Sequence, residues 1–285
     1  MTWSFKKSAV LPEQQFFQWE KLLEERTGIQ LAPQQKVLLQ TQVSIRMREL
    51  DIREYDEYFN LVANGSNGLI EWQILVDRLV VKETSFFRHR PSLAFVRQFL
   101  QNRIERKAVN DSLEMWSVGC ATGEEPYSLA MIANDCFELA GRQPYFGVTA
   151  TDISLPALNT ARNGIYISHR VSSLVKGKYE RYFQSLDEYH VQIKENIKKR
   201  VCFTQGNIIE FESAKTHKME VIFCQNVLVY FRRWLRKDIL NHLVRRLKPG
   251  GVLIIGLGET TDWRSSQVQR VANDEIQAYV KCVSD

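Results

Sequence analysis

Over the first eighty positions apolar residues recur three or four apart, the spacing of a buried helix face. Phe16, Trp19, Leu22 and Leu23 form one such face, and Gly28 follows as its stop. A second helix is predicted over 33–50 and a third over 55–62, which the run Asn64-Gly65-Ser66-Asn67-Gly68 breaks. Residues 69–81 read as helix again. After Leu113 the pattern changes to short apolar runs separated by helical stretches. Strands are predicted at 115–119, 145–151, 201–204, 220–224, 252–256 and 277–282, with helices at 126–139, 156–163 and 234–247. Residues 171–199 are irregular and rich in Lys and Tyr, and read as an insertion with short strands of its own.

Alternation of strand and helix argues an α/β fold with a mostly parallel sheet covered on both faces. The expected organisation is a small all-helical domain over 1–81 and a larger α/β domain over 82–285, with 171–199 as an inserted β subdomain. The 285 residues suffice for two such cores. No apolar run approaches the ~20 residues of a membrane span, and the N-terminus has no signal-like segment, so a cytoplasmic protein without membrane insertion is expected. The five cysteines (Cys120, Cys136, Cys202, Cys224, Cys282) are scattered, which argues against a metal site or disulfides. The net charge of +5 is uneven: residues 1–80 carry −2 and the remainder +7. Such an excess suits a solvated basic face or an acidic partner. Basic and aromatic residues are not interleaved as nucleic-acid binding would need.

The most informative segment is Trp116-Ser117-Val118-Gly119-Cys120-Ala121-Thr122-Gly123-Glu124-Glu125-Pro126. It reads as a strand, a tight glycine turn and a helix opening with proline. Its backbone is expected to face an anionic group at the helix N-terminus. The G-x-x-x-G spacing and the two glutamates argue against a pyrophosphate and for a ligand that also carries positive charge. Ligands of open α/β sheets sit at the carboxyl ends of the strands. The residues placed there are Asp152 as a ribose acceptor or helix cap, Asn207 as a base reader or turn residue, and Gln225 and Asn226, which are polar between apolar runs. Phe86 and Phe87 at the junction read as core residues or as a pocket wall.

Taken together, KETSFFR (82–88), ATGEEPYSLAM (121–131), TDISLPALNTARNGIY (151–166), FCQNVLVYF (223–231) and LKPGGVLIIGLGE (247–259) resemble, in order, the motifs of the chemotaxis receptor methyltransferases, the CheR family. The resemblance implies a Rossmann-like class I methyltransferase sheet. It also implies S-adenosyl-L-methionine as methyl donor, with S-adenosyl-L-homocysteine as product. The implied reaction is methyl esterification of glutamate side chains in the cytoplasmic helical region of a transmembrane chemoreceptor, by a monomer. The competing expectation is a non-catalytic receptor-docking adaptor that keeps the fold.

By the same resemblance, Arg88 and Tyr230 would be catalytic, with Tyr230 near the acceptor. Lys82, Thr84, Arg88, Gly119, Glu125, Asp152, Asn207, Ile208, Gln225 and Asn226 would bind the cofactor. Three positions depart from the family pattern: Lys82 replaces Asn, Gln225 replaces Arg and Glu220 replaces Asp. The helix over 34–50 would meet the receptor through a basic face, here Lys36, Arg46 and, just beyond, Arg53.

Overall fold

The computed structural model describes residues 11–31, 35–65, 67–80, 82–105, 112–175, 177–210 and 218–283. The chain forms two compact units, Met1–Val81 with Tyr230–Arg232, and Lys82–Val229 with Arg233–Asp285.

The first unit holds helices α1 (Glu13–Thr27), α2 (Lys36–Glu49), α3 (Tyr55–Asn64) and α4 (Gly68–Leu79). α1 ends because Gly28 takes φ 75°, where a side chain would be strained, and its N–H closes on the Glu24 carbonyl at 2.8 Å. Trp19, Leu23, Leu39, Val43, Tyr58, Val62 and Leu75 form the core. The buried carboxylate of Glu71 is held by Arg46 through two bonds of 2.7 and 2.6 Å and by the Tyr58 hydroxyl at 2.8 Å.

This cluster corrects the expected basic face. The Arg46 side chain is only 13% exposed and faces Glu71 and Glu49, while Lys36 lies 5.3 Å over the Phe16 ring. Arg53 follows the end of α2 and is exposed. The helix pattern shows which positions are buried but not which partner a long cation finds. A short bridge, Ile29 to Phe231, also lies in this unit, with the Gln30 N–H donating to the Tyr230 carbonyl at 2.8 Å and Arg232 paired with Glu24.

The second unit is built on a seven-stranded sheet: β1 (Leu113–Val118), β2 (Phe146–Asp152), β6 (Val201–Gln205), β7 (Met219–Cys224), β8 (Leu247–Ile255), β9 (Val268–Arg270) and β10 (Gln277–Lys281). Its spatial order is β6-β2-β1-β7-β8-β10-β9. The first five are mutually parallel, and β10 runs antiparallel to both β8 and β9. β7 is buried at every position, as a central parallel strand covered on both faces must be. Helices α5 (Arg90–Glu105), α6 (Glu124–Leu139), α7 (Leu155–Asn163) and α10 (Arg233–Arg246) belong to this unit.

α6 is buried almost throughout, from Glu124 to Phe137. A second, antiparallel sheet of order β3-β5-β4 joins β3 (Ile165–Ile167), β4 (Phe183–Ser185) and β5 (His190–Ile193), so it begins before the expected 171. Short helices α8 (Ser168–Val175) and α9 (Glu195–Lys198) flank it. Phe86 and Phe87 pack as core residues here. Phe86 meets Tyr166 and Phe183 edge-on at 4.9 and 5.5 Å, and Phe87 stacks on Tyr179 at 4.2 Å. Among the described residues no helix is long and apolar enough to cross a membrane, and no cluster could hold a metal ion.

Candidate functional site

The chain leaves β1 toward β2 and β6 on one side, then returns to β7 on the other. The crevice between the carboxyl ends of β1 and β7 is therefore the topological switch point, where ligands of open α/β sheets bind. The turn after β1 and the segment after β7 meet there. Gly119 takes φ 72°, and a Cβ on it would lie 2.4 Å from the Val227 methyl Cγ2. Glycine is thus required twice, by conformation and by the close approach of Val227. Asn226, just before it, holds φ 60°, a conformation asparagine tolerates better than most residues.

The backbone of the turn does not do what the glycine spacing suggested. The N–H groups of Gly119 and Cys120 both donate to the Thr151 carbonyl, at 2.8 and 3.0 Å, and that of Gly123 donates to Cys120. The Ala121 N–H donates to the Asp152 carboxylate at 2.8 Å. These donors serve to tie β1 to β2, so an anion cradle at the turn is replaced by a carboxylate-lined site. Asp152 also accepts from the Ser154 N–H at 2.9 Å, while the cap of α7 is Ser154 itself, through Ala157. Its position at the end of β2 is thus linked to the turn rather than to capping.

Four carboxylates line this region, and burial raises the pKa of each. Glu125 accepts from the Ser117 hydroxyl at 2.7 Å and is pushed up to about 8 by desolvation; Glu259 nearby adds repulsion, and Arg88 partly offsets it. Asp152 is raised by desolvation against the opposing bonds from Ser154 and Ala121 and the charge of Lys82. Glu124 is raised by burial despite its bond from the Thr122 hydroxyl. Glu259, 2% exposed, accepts from the Gly256 N–H at 2.7 Å. Its pKa is raised by burial, while the backbone N–H groups of Val227, Leu228 and Val229 favour its charged form. A crowd of desolvated carboxylates with few opposing cations is stabilised by a cationic ligand.

Of the residues named from the sequence, the second unit contains Lys82, Thr84, Arg88, Gly119, Glu125, Asp152, Asn207, Ile208, Gln225 and Asn226. Arg88 is exposed, with one guanidinium nitrogen on the Glu83 carbonyl at 2.8 Å. Thr84 and Ile208 are half-buried, and Asn207 accepts from the Ile209 N–H at 3.3 Å as a turn residue does. The Gln225 amide turns inward, donating to the Ser92 hydroxyl at 2.9 Å and the Ile255 carbonyl at 3.1 Å. Tyr230 falls in the first unit, where its carbonyl pairs with Gln30.

Glu259, Ser117, Ser92 and His89 had no role from sequence. Glu259 stood in a quoted motif, and the spacing of His89 to Ser92 at a helix start was the one available sign of a cap.

An open sheet of this order, with a glycine turn after β1 and an acidic residue ending β2, defines a Rossmann-like class I methyltransferase with S-adenosylmethionine as cofactor. The carboxylate set fits a sulfonium and ammonium ligand. The chain belongs to the CheR methyltransferase family: the S-adenosylmethionine-binding domain model matches residues 82–277 and the all-alpha domain model matches 14–80.

The chain is 31% identical over 243 residues to a chemotaxis protein methyltransferase of Borreliella burgdorferi, covering 84% of this chain and 86% of that one. It is 30% identical over 254 residues to that of Escherichia coli, covering 87% and 85%. It is also 31% identical over 245 residues to the probable biofilm formation methyltransferase WspC of Pseudomonas aeruginosa, covering 85% of this chain but 56% of the relative.

Proposed function

We propose that this methyltransferase esterifies glutamate side chains in the cytoplasmic helical region of a transmembrane chemoreceptor. The observation that carries the reading is the acid-lined switch point, which suits a cationic methyl donor, with Arg88 exposed beside it. S-adenosylmethionine supplies an electrophilic methyl group on a positively charged sulfur. Glu125 holds the cationic end of its methionine moiety, and Asp152 accepts from its ribose hydroxyls. The charge of Lys82 favours the ionised, accepting form of Asp152 against its desolvation. Gly119 lets Val227 close on the turn, while Asn207 and Ile208 flank the adenine. Thr84 and Asn226 complete the lining, with the inward-turned Gln225 behind them.

The acceptor glutamate is ionised at neutral pH, with a reference pKa near ~4.3, so no general base is required. The carboxylate oxygen bonds to the methyl carbon as the carbon–sulfur pair returns to sulfur, leaving a methyl ester and a neutral thioether. The protein contributes alignment and exclusion of water. Arg88 orients the incoming carboxylate through its planar fork, and the family resemblance assigns Tyr230 a role toward the acceptor.

The test uses methyl-labelled S-adenosylmethionine, the full chain and receptor-containing membranes from the same cell. Label on the receptor that mild base releases as methanol supports the ester, and Arg88→Ala should lower it about a hundredfold. Cofactor binding without label would favour the docking adaptor instead.

A further inference from the structure

The turn that carries Arg88 is anchored on both sides. Before it, the Phe87 N–H donates to the Ser128 hydroxyl on α6 at 3.1 Å, with Phe87 itself held at φ 53°. After it comes His89, directly before α5. The Ser92 N–H donates to His89 Nδ1 at 3.3 Å, and the Ser92 hydroxyl lies 2.8 Å from the same nitrogen. A backbone N–H only donates, so Nδ1 is an acceptor and the hydroxyl donates to it as well. The Ser92 oxygen in turn accepts from the Gln225 amide at 2.9 Å. The second bond of that amide nitrogen, to the Ile255 carbonyl at 3.1 Å, fixes which end of the amide faces Ser92.

Every bond in the series therefore has one direction, from Gln225 to Ser92 to His89. Ser92 is fully buried, so a missing partner would not be replaced by water. The series joins the residue after Arg88 to the residue before Asn226, two segments far apart in sequence.

We propose that Gln225, Ser92 and His89 form a positioning chain that locks the Arg88 turn to the end of β7. In this chain Gln225 is then an internal strut, although the family pattern places an arginine at its position. Loosening any link frees both segments together. Only the kinetic readout below rests on the methyl-transfer reading; the exchange readout needs no acceptor.

Amide hydrogen exchange in the full chain tests this for Ser92→Ala, His89→Ala and His89→Asn. Ser92→Ala and His89→Ala should each speed exchange at least fivefold in both 86–89 and 225–228. His89→Asn, whose side-chain oxygen still accepts from the Ser92 N–H, should stay within twofold of the parent chain. In methyl transfer Ser92→Ala should lower kcat about tenfold with the KM for S-adenosylmethionine within threefold. Faster exchange confined to the start of α5, with 225–228 unchanged, would overturn the proposal, whether or not a methyl acceptor has been found. So would equal kcat in Ser92→Ala and the parent chain, or a His89→Asn chain as loose as His89→Ala.

Discussion

Helix α6 carries Glu125 in its first turn and Asp135 toward its other end, and the two carboxyls have opposite fates. Asp135 is 3% exposed, yet its pKa is lowered: the Tyr182 hydroxyl, Arg181, Arg97 and Lys178 outweigh its desolvation. The ion contacts are 2.6 Å to Arg181, 3.1 Å to Arg97 and 3.3 Å to Lys178. Glu125 has the Ser117 hydroxyl and the distant help of Arg88, and Glu259 opposes it, so its pKa rises to about 8. Burial is common to both; the charges around them decide the outcome. The Asp135 cluster holds more cations than carboxylates and ties α5 and α6 to the segment before β4. The Glu125 cluster lacks positive charge, which a cofactor with a sulfonium and an ammonium supplies.

Breaking the saturated cluster should have the largest effect on stability. Asp135→Ala leaves the largely buried Arg97 without its carboxylate, while Arg181 keeps Glu138, and should cost roughly 3 kcal/mol in urea unfolding. A loss below about 1 kcal/mol would mean the cluster is only a surface network. The glycine turn comes next. Gly123 takes φ 96°, and a Cβ there would lie 2.7 Å from that of Ala161, so Gly123→Ala should destabilise by about 2 kcal/mol.

Glu125→Gln should behave in the opposite way to Asp135→Ala. It should not lower stability but should weaken S-adenosylmethionine binding by about tenfold, near 1.4 kcal/mol, read by calorimetry. The pH dependence sharpens the contrast. Glu125 titrates near 8 in the folded chain and near its ordinary value of 4.5 when unfolded. Between these the folded state holds the extra proton, so its contribution to stability falls as pH rises from about 5 to 8. Asp135, with its lowered folded pKa, contributes throughout that window and loses its contribution only in acid, as pH falls through its folded pKa. Urea midpoints from pH 5 to 8 should therefore fall more steeply in the parent chain than in Glu125→Gln. The smallest effect belongs to the exposed Lys21–Glu25 pair at 3.7 Å, whose loss should cost about 0.3 kcal/mol.

The alternation of β and α was legible because apolar runs of strand length were separated by helical periods. The turn after β1 and the acidic end of β2 could be read for the same reason. α5 was not, since it starts at Arg90 with Pro91 close behind, and the residue capping it, His89, offers an imidazole rather than a Ser or Asp side chain. β9 and the strands of the small sheet are too short for a period to show. The direction of the turn's N–H groups was also hidden, because Thr151 and Asp152 capture them from a strand distant in sequence. Arg46 failed in the same way: its partner Glu71 lies on another helix. Periodicity reports burial, while the partner of a polar group is set by tertiary structure.

The most direct test of the account is proton release on cofactor binding. Calorimetry of S-adenosylmethionine at pH 7, in buffers of different ionisation enthalpy, counts the protons that leave. Release approaching one proton is expected from the parent chain, as Glu125 ionises against the bound cation, and a loss of most of that release in Glu125→Gln. Equal proton counts in the two chains would contradict it.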